Sequence, residues 1–152
     1  MSLARNPDKM ILKGDKLTKL TLTRWSADWS SATVLYEAAA IEYRNKRDNE
    51  KALMALEKAS KGHEMQSSPW DAAKHMETCG NISKELGKWG HVLDYYRRAS
   101  ELYNECGRSQ PASDSLAKGA RALEDSSPED AIQLYTDACV MLEEGGEGAN
   151  GL

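Results

Sequence analysis

Three cysteines, Cys79, Cys106 and Cys139, and three histidines, His63, His75 and His91, are the side chains here that could do nucleophilic or metal chemistry. A reactive thiol needs a partner base or a lowered pKa, and a zinc site needs cysteines or histidines at ligand spacing. The cysteines are odd in number and widely spaced, with no CxxC and no adjacent histidine pair, which argues against a disulfide framework and against zinc. Cys79 and Cys139 fall at small packing positions of a repeat and read as inert buried thiols. Cys106, beside Gly107, is the candidate for an exposed one. His63 falls at a large packing position and belongs to the core or its margin. His75 and His91 sit on separate predicted helices and make no i,i+4 metal pair. Gly145-Gly146-Glu147-Gly148 follows a helix rather than a strand, so it reads as a flexible tail and not a phosphate loop. The expectation is no catalytic residue, no metal site, no cofactor and no enzyme.

Two surface features remain. Leu17, Leu20, Leu22 and Trp25 stand among Lys13, Lys16, Lys19 and Arg24. They read either as a helix face tucked against its neighbour or as a basic-apolar rim that touches a membrane surface or a partner helix. The second feature is a set of cations at predicted helix ends: Arg44, Lys46, Arg47, Lys61, Lys88 and Arg108. They complement helix dipoles, or they line one edge of a helical stack and meet a long acidic helical ligand.

The elements that must position these residues announce themselves as a repeat. Small and large residues alternate at offsets 0, 4, 7 and 11, one face of an α-helix. The copies are Ala32-Tyr36-Ala39-Tyr43, Ala52-Leu56-Ala59-His63, Ala72-Met76-Cys79-Ser83, Val92-Tyr96-Ala99-Tyr103 and Ala112-Leu116-Gly119-Leu123. A sixth copy, Ala131-Tyr135-Ala138-Leu142, slips by one residue. A spacing of 20, or 40 per helix pair, predicts a helical-repeat stack. Capping signals agree: Ser68-Pro69, Ser127-Pro128, Asp48, and Ser109 or Gln110 before Pro111, with Gly87, Gly107 and Gly145 just past helix ends. The predicted helices are roughly 6–21, 29–46, 49–66, 69–86, 89–106, 110–124 and 128–144. The expected fold is all-α, an antiparallel helix-pair repeat stack of the TPR-like right-handed solenoid type. It has a repeat domain over 1–144 and a Gly-rich tail over 145–152. The last helix is expected to show an apolar edge around Ile132, Tyr135, Val140 and Leu142, with marginal stability or self-association as the consequence.

Composition fits a soluble chain. Of 152 residues 40% are hydrophobic and 29% charged, mean hydropathy is −0.66, and no apolar run approaches the ~18 residues of a membrane span. The N-terminus lacks an apolar signal core, so a cytoplasmic protein is expected. Charge is polarised: residues 1–25 carry six Lys/Arg against two Asp, whereas 124–152 carry eight Asp/Glu and no base. A net charge of −4 makes duplex nucleic acid an unsuitable partner.

Against that background the sequence resembles the soluble NSF attachment proteins, most closely their gamma type. The resemblance runs from about Asp8 to Glu144. It is carried by Leu22-Thr23-Arg24-Trp25-Ser26-Ala27-Asp28 leading into Ser31-Ala32 and Tyr36-Glu37-Ala38-Ala39, and by Ser100-Glu101-Leu102-Tyr103-Asn104-Glu105-Cys106-Gly107-Arg108. Arg121-Ala122-Leu123-Glu124 and Pro128-Glu129-Asp130-Ala131-Ile132-Gln133-Leu134-Tyr135 complete it. The resemblance implies an adaptor of vesicle-mediated transport that coats the four-helix SNARE bundle, with its syntaxin-type helices, and recruits the ATPase NSF to pull the bundle apart. It implies that Leu20, Leu22 and Trp25 form a membrane-contact loop and that the protein is peripherally and weakly membrane-associated. Arg108 and Arg47 match basic residues of the SNARE-facing edge, with Arg44 beside them, while a further basic position of the alpha type is Asp114 here. Only the N-terminal half of the family is covered, so the part that engages NSF is expected to be missing and NSF stimulation weak or absent. The alternative reading is a generic TPR-like scaffold of co-chaperone type that holds a peptide in a groove.

Overall fold

Alternating small and large residues fold here into successive antiparallel helices. A computed structural model describes residues 6–20 and 26–150, with side chains to residue 146. The helices are α1 (Pro7–Thr18), α2 (Trp29–Asn45), α3 (Asn49–Met65), α4 (Pro69–Glu85), α5 (Trp89–Glu105), α6 (Ser109–Leu123) and α7 (Pro128–Asn150). Among the described residues there is no strand. The all-α stack of paired helices expected from the repeat is what forms.

The turns repeat with the same period as the core. Arg47, Ser67, Gly87 and Gly107 all take positive φ, between 58° and 71°. At each turn that residue's N–H bonds a carbonyl three residues back, and the next N–H bonds one five back, as in Asp48 to Tyr43 and Arg108 to Tyr103. This is a Schellman closure, and its last residue is the N-cap of the following helix. Glycine meets the conformational demand at Gly87 and Gly107; Arg47 and Ser67 meet it without that freedom.

The chain divides into two compact units, Met1–His75 and Met76–Leu152, and α4 runs through the boundary. In the first unit α2 packs on α1 and α3. Ala32, Tyr36, Ala39 and Tyr43 are all buried, and the tyrosine hydroxyls donate to α1: Tyr36 to Asp15 at 2.6 Å and Tyr43 to Asp8 at 2.5 Å. Partners seven residues later on α2 lie seven residues earlier on α1, so the two run antiparallel. Gly14 lets the Tyr36 ring approach, since a Cβ there would lie 2.6 Å from Tyr36 Cε1. Burial raises these phenols, Tyr36 to about 12, and the carboxylate acceptors push in the same direction. The Tyr43 bond in turn holds Asp8 below the usual carboxylate range.

The second unit is built likewise. Val92, Tyr96, Leu116, Ala120, Leu123, Ala131, Leu134 and Ala138 form one core, where each fully buried leucine contributes about 1.5–3 kcal/mol. Tyr96 fills the space over Gly80 and Gly119 and donates to Asn81 at 2.5 Å, and Tyr103 donates to Glu77.

Three local expectations change. α6 begins at Ser109, and its N-cap is Arg108 rather than Ser109 or Gln110. α7 continues to Asn150 instead of ending before Gly145; Gly145 packs on Ser109, whose Oγ a Cβ there would meet at 2.3 Å. The one-residue slip in the last repeat buries Ala138 and turns Cys139 outward, so Cys139 is exposed rather than a core thiol. Ile132, Tyr135, Val140 and Leu142 are also exposed, as their placement on the last helix predicts.

Candidate functional site

The candidate basic residues sit at helix corners. Arg44 lies in the last turn of α2 and donates from Nη1 to Asn49 Oδ1 at 2.8 Å. Arg47 is exposed in the left-handed position of the α2–α3 turn. Both belong to the first unit; Arg108 belongs to the second, exposed at the N-cap of α6.

An N-cap normally supplies a side-chain oxygen to the first free N–H groups, at the positive end of the helix dipole. Asn6, Asp28 and Asp48 do this for α1, α2 and α3, accepting from Lys9, Ser31 and Lys51 N–H at 3.1–3.2 Å. Lys88 and Arg108 head α5 and α6 and make no such side-chain bond. A cation there faces the wrong end of the dipole, costing about 0.3–1 kcal/mol beyond the missing cap. Complementation of a helix C-terminus therefore suits Arg44 and does not suit Arg108. A departure from the usual capping residue marks a position worth testing for function.

Of the expected membrane-contact residues, Leu20 is 68% exposed, and Leu22 and Trp25 lie outside the described residues. The base of this connection is fixed: Asp28 N–H donates to Leu17 C=O at 2.8 Å while its carboxylate caps α2. Beside it a shallow cavity of about 500 Å³ is lined by Lys13, Leu17, Ser31, Val34 and Leu35 among others. Leu12, Val34 and Ile41 are also exposed. Sequence reasoning passed over them because they fall outside the packing offsets. Val34 and Ile41, seven residues apart on α2, were the available signal. Among the described residues no helix is long and apolar enough to cross a membrane.

A third grouping was not foreseen. Glu37 on α2, His63 on α3 and His75 on α4 come together in the first unit, all half-buried. Glu37 Oε2 lies 3.5 Å from His63 Nε2 and 3.0 Å from His75 Nε2, and the imidazoles stack with centroids 5.3 Å apart. Burial lowers the His75 pKa below its ordinary value, with Glu37 opposing, so that ring is neutral at pH 7. The histidines stand on either side of the α3–α4 turn, His63 near the end of α3 and His75 almost two turns into α4, a relation their separate packing roles concealed. Cys79 is buried, and Cys106 is half-buried with its thiol donating to Leu102 C=O.

The sequence is similar to known proteins over nearly all of its length. The chain matches the family model described as "Soluble NSF attachment protein, SNAP" over residues 5–150. It is 65% identical over 144 residues to the gamma-soluble NSF attachment protein of Arabidopsis thaliana, covering 95% of this chain and 50% of that protein. Similarity to the gamma-soluble NSF attachment protein of Dictyostelium discoideum is 34% over 131 residues, 86% of this chain and 40% of that protein. The chain thus spans half or less of the length of these relatives. The family match over nearly all of the sequence, on a stack of paired helices with the expected repeat, places this chain in the soluble NSF attachment protein family.

Proposed function

We propose that this chain acts as an adaptor, not a catalyst, in vesicle-mediated transport, binding assembled SNARE helices through Arg44, Arg47 and Arg108. NSF is its second partner in the context of the whole protein. The observation that carries the reading is the 65% identity to a gamma-type attachment protein over 144 residues. The exposed corner positions of the three arginines support it, and so does Arg108 holding a cap position that favours an acid. Leu20, Leu22 and Trp25 make the membrane contact; of the residues flanking them, Asp28 N–H is bonded to Leu17 C=O. Single exposed ion pairs contribute only about 0–1 kcal/mol, so many contacts act together and salt weakens the complex. The protein is cytoplasmic and peripherally associated with membranes.

The test is a pull-down that compares the assembled SNARE bundle with its separate chains, alongside liposome flotation of the parent and of Leu20→Ser/Leu22→Ser/Trp25→Ser. Retention on the bundle alone, with flotation reduced in the triple variant, is the expected result. Equal capture of separate, unstructured chains would favour a groove-binding scaffold instead.

A further inference from the structure

We propose that Glu37, His63 and His75 form a site for a borderline divalent transition metal ion, with Zn²⁺ its best chemical match, inside the first unit. Three consecutive helices supply one ligand each. Around a tetrahedral zinc with bonds of about 2.0–2.1 Å, neighbouring donor atoms stand about 3.3 Å apart. The two separations from Glu37 Oε2, 3.0 and 3.5 Å, bracket that spacing, and all three ligand atoms lie within 4.8 Å of one another.

The donor set has the right chemistry. Two imidazoles and one carboxylate make a recognised zinc triad, with a fourth position left for water or for a partner's side chain. The rings are stacked, 29° from parallel, and both turn Nε2 toward the same carboxylate oxygen. Without the ion, an Nε2–H donates to Glu37; with it, the ring proton resides on Nδ1 and the Nε2 lone pair binds the metal. No electron transfer or bond cleavage is required. The ion ties α2, α3 and α4 together, a role independent of the adaptor reading.

The test uses the tag-free chain titrated with zinc chloride, followed by calorimetry and by the ring-proton NMR signals of its three histidines. One equivalent should bind, shifting His63 and His75 and leaving the exposed His91 unmoved. Glu37→Gln, His63→Gln and His75→Gln should each weaken binding at least about tenfold. Cobalt(II) substitution reads the ligands without any variant. Visible bands of a tetrahedral ion without a sulfur charge-transfer band support the site. Absence of binding, a shift of His91, or a sulfur band assigning the ion to Cys106 or Cys139 would overturn it.

Discussion

On the proposed function, stability and binding make opposite demands on Arg108. Its backbone caps α6, where an aspartate would accept from the free N–H groups and favour the dipole. Arg108→Asp should therefore stabilise the fold by about 0.5–1.5 kcal/mol while weakening SNARE binding, a divergence visible by urea denaturation beside a binding titration. Loss of both would mean that the arginine serves the fold. Glycines offer a second paired prediction. Gly90 has open space around it, whereas a Cβ on Gly80 would lie 2.5 Å from the Tyr96 ring. Gly90→Ala should raise the unfolding free energy by about 0.4–1 kcal/mol, and Gly80→Ala should lower it by about 1–3 kcal/mol. Equal responses would show that Tyr96 yields more easily than its buried position between α4 and α6 implies.

At the scale of elements, the period of twenty made the helices readable, because small-large alternation and turn geometry recur in step. Asp48 as a cap and Gly87 and Gly107 as turn residues were legible for the same reason. The start of α6 was not, because serine before proline resembles a cap while the Schellman closure at Gly107 hands that role to Arg108. Nor was the course of α7, since glycine propensity argues for a tail and only the contact of Gly145 with Ser109 shows why the helix continues. Tyrosines bridging neighbouring helices carry a pH dependence. Tyr36 and Tyr96 are raised to about 12 from an ordinary 10.0, and Tyr43 and Tyr103 are raised as well. The unfolded phenols ionise first, so stability is intact below about pH 10 and is lost as pH climbs toward about 12. Thermal melts across that window should show a steep fall, and a midpoint indifferent to it would contradict the buried tyrosine bonds.

For the whole molecule, charge is divided between the two units: thirteen Lys/Arg against ten Asp/Glu in residues 1–75, and seven against fourteen in residues 76–152. Family and repeat could be read along the chain because both are linear patterns. The Glu37–His63–His75 grouping could not, because it joins three helices and no local spacing encodes it. The arginines were found as a linear list, and what they do together is a question for binding. The most direct measurement is a titration of the assembled SNARE bundle with the parent chain and with Arg47→Glu/Arg108→Glu at low and high salt. The account predicts that the parent loses affinity as salt rises and that the double variant binds weakly at both. Affinity unchanged by charge reversal and by salt would contradict it.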